Sequence, residues 1–218
     1  MTRNVIVNEL PRALPDFNPK TVFDVGANVG QSVRDFVLAF PEATIYSFEP
    51  VQATYDLLTA NVANEPRVKC FKLALGRKAG EVQITAQGTG TGNRVVSGKS
   101  SFSTESVQLL SGDEFCATHG IDEIDFLKID AEGLDLDVLI GFHTMLVEER
   151  VSMLQVECSI NPDNRRAIDL ERFRGFVEPL GYRLFGILGN VRRARVPALG
   201  LHADAVFVSS DFVKKTTN

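Results

Sequence analysis

Thr21-Val-Phe-Asp-Val-Gly-Ala-Asn-Val-Gly-Gln31 changes character twice within a few residues. Val22, Phe23 and Val25 form a short apolar run of the kind buried on both faces of a parallel sheet. Gly26 and Gly30 then open a turn where the backbone can approach a ligand closely. From Gly30 onward Val33, Phe36, Val37 and Phe40 fall at helical spacing, and Pro41 ends the helix. A strand, a glycine turn and a helix N-terminus in succession make a nucleotide-type binding site.

Working outward, strand-like runs recur at 43–48, 68–73, 124–130, 151–157, 182–185 and 203–208. Helical spacing separates most of them, as in Tyr55, Leu58 and Val62, in Leu134, Val138 and Leu139, and in Leu170, Phe173, Val177 and Leu180. Alternation of this kind predicts an α/β fold with a doubly wound, mostly parallel sheet. Residues 1–20 carry Pro11, Pro15 and Pro19 and read as an N-terminal leader, packed on the domain or partly loose. Residues 21–218 read as a single domain. Within it, 77–107 stands apart: 81–85 alternates as a half-exposed strand, 101–107 is its expected partner, and Gly88, Gly90, Gly92 and Gly98 lie between them. The segment is expected to be a hairpin insertion whose tip acts as a lid.

The 218 residues are 44% hydrophobic and 23% charged, ordinary proportions for a globular chain. A formal net charge of −5 gives no electrostatic case for nucleic acid. No apolar run approaches a membrane span, and Met1–Leu10 lacks the apolar core of a signal peptide. Cys70, Cys116 and Cys158 are far apart and form no CxxC, as expected of reduced thiols in a cytoplasmic protein.

Four of the core runs end at an acid: Asp24, Glu49, Asp130 and Glu157. Singly, each serves to cap a following helix as readily as to bind a ligand. Ligands of open α/β sheets sit beyond the carboxyl ends of the strands, and four acids along that edge select among them. They repel a polyphosphate and attract a ligand carrying a sulfonium, an ammonium and a ribose diol, which describes S-adenosylmethionine. Glu49 follows Gly26 at the spacing usual for a ribose-binding acid. The dinucleotide pattern GxGxxG fails, because Asn28 and Gln31 occupy its second and third glycine positions. Gly92-Asn-Arg-Val-Val-Ser-Gly98-Lys-Ser100 nearly spells a P-loop but has one residue too many between its glycines, and no helical period follows.

Val22–Gln31, Ser47-Phe-Glu-Pro50, Ala74-Leu-Gly76 and Phe126-Leu-Lys-Ile-Asp-Ala-Glu-Gly133 together resemble the FkbM family of methyltransferases, in the right order and over about residues 21–209. The resemblance implies a Rossmann-like class I methyltransferase fold. Its seven-stranded sheet would be mostly parallel with an antiparallel last strand and helices on both faces. It also implies S-adenosylmethionine-dependent O-methylation, often of sugars or natural-product hydroxyls. Carried over by position, Asp24, Gly26, Asn28 and Gly30 would hold the methionine part, Glu49 the ribose and Ala74 the adenine, with Asp130 near the transferred methyl.

A hydroxyl acceptor needs a base as its proton leaves. Asp130, Glu132, Glu157 and His202 are the candidates. Glu132 serves equally as a cap of the helix near Leu134, and Lys128 reads as more structural than catalytic. Asp113 is expected to cap the helix that follows it, and His119 and His143 to lie at the surface or at helix ends. Asp130, Glu132 and Glu157 could converge on a metal, but no histidine-based ligand spacing supports one, and none is assigned. The expected partner is a small hydroxyl acceptor, without nucleic acid or membrane, and a homodimer is permitted. Two alternatives stand beside this reading: an NAD(P)-dependent oxidoreductase, and a binding module that keeps the fold without turnover.

Overall fold

The computed structural model describes residues 5–86, 95–96, 102–161, 167–193 and 196–216. It opens with helix α1 (Val5–Ala13), central strand β1 (Thr21–Val25), α2 (Gln31–Ala39), β2 (Thr44–Phe48), α3 (Gln52–Asn61) and β3 (Val68–Phe71). Three strands follow outside the main sheet: β4 (Ala74–Leu75), β5 (Gly80–Thr85) and β6 (Thr104–Leu110). The second half comprises α4 (Gly112–His119), β7 (Ile124–Ile129), α5 (Asp135–Gly141), α6 (His143–Val147) and β8 (Val151–Cys158). It closes with α7 (Leu170–Val177), β9 (Tyr182–Arg193), β10 (Val196–Ser209) and α8 (Ser210–Thr216).

The seven-stranded sheet has the order β3-β2-β1-β7-β8-β10-β9. β3, β2, β1, β7 and β8 run parallel, and β10 inserts antiparallel between β8 and β9. After β3 the chain returns to the other side of β1, so the topological switch lies between β1 and β7. The crevice at such a switch point, beyond the carboxyl ends of the strands, is where α/β folds bind ligands.

Successive strand residues point to opposite faces, and both faces are packed. Phe23, Leu127, Leu154 and Phe207 face a core completed by Phe115 of α4, Phe142 between α5 and α6, Leu146 of α6 and Phe173 of α7. Val22, Ile45, Phe126, Met153 and Val206 face the opposite core with Leu10, Val33, Phe36 and Leu58. This burial on both sides is why the strands read as unbroken apolar runs.

The leader is more ordered than its prolines suggest. α1 buries Val7 and Leu10 against α2 despite Pro11 inside the helix, and Phe17 meets Phe40 and Phe212 edge-on. The insertion pairs β5 with β6 antiparallel from Gly80↔Leu109 to Thr85↔Thr104, and β4 adds in parallel to β6. The partner strand thus lies a little later than the expected 101–107. Gly88, Gly90, Gly92 and Gly98, on which the lid expectation rests, lie outside the described residues. β9 and β10 are longer than expected, and β10 continues past its last pairing with β8, Ala203↔Cys158.

Asp113 does not cap its own helix. Ser111 caps α4 through Glu114 N at 3.2 Å. The Asp113 carboxylate instead accepts from Thr144 N at 2.8 Å and Met145 N at 3.0 Å, which caps α6. Among the described residues no helix is long and apolar enough to cross a membrane.

Candidate active site

The glycine turn after β1 locks three strand ends together. Gly26 N and Ala27 N both donate to the Phe48 carbonyl at the end of β2, and Asp130 N donates to Val25 O, each at 3.0 Å. Gly26 has φ +80°, and a Cβ placed there would lie 2.0 Å from the Asp130 carbonyl oxygen. Only glycine combines that backbone angle with so close an approach. Asn28 is also left-handed, at φ +49°, a conformation asparagine tolerates, and its Oδ1 accepts from Val29 N at 2.7 Å. Gly30, at φ +90°, begins α2 without a side-chain cap.

Glu49 follows β2 and turns back onto this loop. Its Oε2 accepts from Asn28 N at 3.1 Å and its Oε1 from Val51 N at 2.9 Å. Burial raises its pKa above the usual carboxylate value, and the two backbone donors oppose that shift only in part. Beside it Ala74 packs with Val51, Ile84 and Val107 in a small apolar cluster against the insertion.

Beneath the crevice a polar row crosses four strands in register: Ser47 of β2, Asp24 of β1, Lys128 of β7 and Gln155 of β8. All four are buried. Lys128 Nζ lies 3.0 Å from Asp24 Oδ1 and 3.6 Å from Asp130 Oδ2, and Ser32 Oγ donates to the other oxygen of Asp24. Burial alone would lower the Lys128 pKa, but the charges of Asp24 and Asp130 outweigh it and raise the value. Asp24 itself has no exposed surface, so it orders Lys128 and the first turn of α2 from below. Lys128 is the buried cation that joins two of the strand-end acids.

Farther along the edge, Glu157 of β8 pairs directly across from Asp204 of β10. Glu157 Oε1 lies 2.9 Å from His202 Nδ1. Burial, then Asp130, Asp135, Asp204 and Glu132, push the Glu157 carboxyl up to about 8. Asp204 is also raised, chiefly by burial. Asp135 closes the turn before α5 by accepting from Ala131 N and Gly133 N, each at 3.1 Å, and burial pushes it up to about 6. Glu132 is exposed on that turn at φ +50°. Leu134, the residue that starts α5, has no side-chain cap. His119 stacks on Phe115 at the end of α4, and His143 is exposed at the start of α6.

The structure therefore gathers Asp24, Gly26, Asn28, Gly30, Glu49 and Asp130 at the carboxyl ends of β1, β2 and β7, with Glu157 and His202 on the β8–β10 side. Asp204, Asp135, Ser32 and Gln155 belong to the same network, and sequence reasoning misses them. For Asp204 a signal exists: it is the charged residue inside the otherwise apolar 203–208 run. Among the described residues no group of three or more His, Cys, Asp or Glu is arranged to hold a metal.

The family model described as the methyltransferase FkbM domain matches residues 24–184. The chain belongs to the FkbM methyltransferase family. It is similar to the hexuronic acid methyltransferase AglP of Haloferax volcanii, with 26% identity over 147 residues, or 65% of this chain and 57% of AglP. It is also similar to the 2-O-methyltransferase NoeI of Sinorhizobium fredii, at 23% over 59% of this chain and 60% of NoeI. The chain thus spans less than two thirds of the length of either relative. Two solved structures share its fold. Magnesium protoporphyrin IX methyltransferase of Synechocystis with bound S-adenosylmethionine gives a TM-score of 0.53 at 13% identity, covering 95% of this chain and 77% of that one. TrmK of M. capricolum with S-adenosylhomocysteine gives 0.54 at 10%, covering 94% and 67%.

S-adenosylmethionine is the cofactor that goes with this family, and the donor set has the chemistry to suit it. A buried carboxylate at Glu49 matches a ribose diol, apolar Ala74 and Val51 match a purine, and surplus acids toward Asp130 match a cation better than a phosphate.

Proposed function

We propose that this chain is an S-adenosylmethionine-dependent O-methyltransferase acting on a hydroxyl of a sugar or small natural product. The observation that carries the cofactor side is the Glu49 carboxylate, held buried against the glycine turn by Asn28 N and Val51 N. Each of its oxygens keeps a second lone pair for a ribose hydroxyl. The acceptor class is supported by the activities named for AglP and NoeI, one acting on a hexuronic acid and the other at a 2-O position.

When bound, S-adenosylmethionine supplies a methyl group on a positively charged sulfur. The residues of this chain do the rest. Gly26, Asn28 and Gly30 shape the backbone against which the methionine part lies. Ala74 walls the adenine, backed by the buried Val51. Asp130 lies nearest the reacting end, its carboxylate 3.6 Å from the Lys128 ammonium. The acceptor oxygen must then be held about 3 Å from the methyl carbon and in line with the bond that breaks, with water kept out.

Titration calorimetry of the purified protein with S-adenosylhomocysteine, run beside NAD, tests the cofactor. Binding of the first and not the second is expected. Glu49→Ala removes charge-assisted hydrogen bonds and should weaken binding by about 10²-fold, from roughly 1.5–3 kcal/mol per bond. Unchanged affinity in that variant, or tight binding of NAD alone, would overturn the assignment. A screen of neutral and acidic sugars with labelled methyl donor then tests the acceptor class.

A further inference from the structure

The carboxyl edge between β8 and β10 holds a paired imidazole and carboxylate that cofactor binding does not use. His202 Nδ1 and Glu157 Oε1 are 2.9 Å apart, and their side chains are 33% and 36% exposed. One imidazole nitrogen is thus paired with the carboxylate while a third of the side chain stays exposed. His202 stands beyond Ala203↔Cys158, where β8 pairing ends, and shares a sheet face with Asp204 by alternation. The β9–β10 ladder shifts register on both sides of His202. Irregularities of this kind bend a strand and re-aim its side chains.

We infer that His202 is the base that accepts the acceptor's hydroxyl proton and that Glu157 positions it, an inference that rests on the methyltransferase reading above. With Nδ1–H donated to Glu157, the Nε2 lone pair is left to accept a proton. As the acceptor oxygen bonds the methyl carbon, the carbon–sulfur bond breaks and its electron pair stays on sulfur, which becomes a neutral thioether. The hydroxyl proton passes to Nε2, so the positive charge lost from sulfur reappears on an imidazolium beside a carboxylate, and solvent later removes it. The other candidates are less suited. Asp130 is paired with the Lys128 ammonium, and Glu132 stands exposed on the turn before α5.

The charged groups around the pair are Asp130, Glu132, Asp135, Asp204 and Lys128, and most are acids that favour retention of a proton. The Glu157 carboxyl, pushed up by burial and the surrounding acids, keeps its proton up to about pH 8. A protonated Oε1 donates to Nδ1, which leaves the ring's own proton on Nε2, where no lone pair remains to act as a base. kcat/KM for the acceptor should therefore rise with pH through about 8.

The decisive experiment is nitrogen-detected NMR of the three histidines, with and without Glu157→Gln, followed by kinetics. At pH 9 His202 should be the Nδ1–H tautomer in the wild type. It should switch to Nε2–H in Glu157→Gln, because the amide donates to Nδ1. His202→Asn should lower kcat by about 10²- to 10⁴-fold with S-adenosylhomocysteine affinity within twofold. Glu157→Gln, which leaves the ring proton on Nε2, should lower kcat by a similar factor and abolish the alkaline rise. An Nε2–H tautomer in the wild type at pH 9, or near-normal kcat in a folded His202→Asn, overturns the inference. Failure of the wild type to bind S-adenosylhomocysteine overturns the methyltransferase reading instead, and the tautomer measurement is unaffected by it.

Discussion

Gly26 and Lys128 are the two residues on which the rest of the site depends, for opposite reasons. At Gly26 the constraint is steric. A Cβ would meet a backbone carbonyl of the β7–α5 turn at 2.0 Å, and the φ of +80° is strained for any other residue. Gly26→Ala must part the β1 and β7 turns, and should cost more than about 3 kcal/mol in urea unfolding together with cofactor binding. At Lys128 the constraint is electrostatic. Lys128→Met leaves Asp24 fully buried and without its cation, so a loss of about 3–5 kcal/mol is expected. Adding Asp24→Asn removes the stranded charge and should recover much of that loss. If the two losses simply add, the residues are not coupled and the ion pair is not what holds the row.

At the scale of elements, α1 braces the face of the sheet opposite the α4–α7 layer, below the glycine turn. Leu10, 1% exposed, is its anchor against Phe36 and the β-strands of that face. Leu10→Ala should cost about 2–5 kcal/mol by unfolding, with S-adenosylhomocysteine affinity unchanged. Equal loss of affinity would mean that the helix shapes the site directly. This helix is hidden in the sequence because three prolines in twenty residues outweigh the spacing of Val7 and Leu10. The inner strands are legible because burial on both faces leaves a short, mostly apolar run, while the edge strands β3 and β9 are less buried and show a weaker pattern. The acids Asp24, Glu49, Asp130 and Glu157 are legible because each interrupts or ends an apolar run. What local pattern does not contain is register. The Ser47–Asp24–Lys128–Gln155 row, the pairing of Glu157 with Asp204 and the capping of α6 by Asp113 each join residues many positions apart. For the same reason the outer parts of β9 and β10 exceed the runs that signal them.

Over the whole molecule, the parallel topology brings the carboxyl ends of several strands to one edge and concentrates acids there at a cost to the unliganded fold. Glu157 is raised from an ordinary value of 4.5 to about 8, and Asp135 from 3.8 to about 6. The native state therefore binds protons that the unfolded chain has already released. Stability from these groups is fully present below about pH 4 and is lost as pH rises through 6 and then 8. Thermal unfolding without ligand should accordingly show Tm falling between pH 5.5 and 8.5, and Glu157→Gln should flatten the upper part of that fall. A bound cation should oppose that fall. S-adenosylmethionine carries a sulfonium that S-adenosylhomocysteine lacks, while the two share every other group except the methyl itself. The extra Tm given by the first over the second, at equal saturation, should grow from pH 6 to pH 8.5 as Glu157 ionises, because a ligand stabilises by its affinity for the native state alone. A difference that stays constant across that range would mean that the acids of this edge do not sense the sulfonium, and that the charge argument for the cofactor fails even where the cofactor binds.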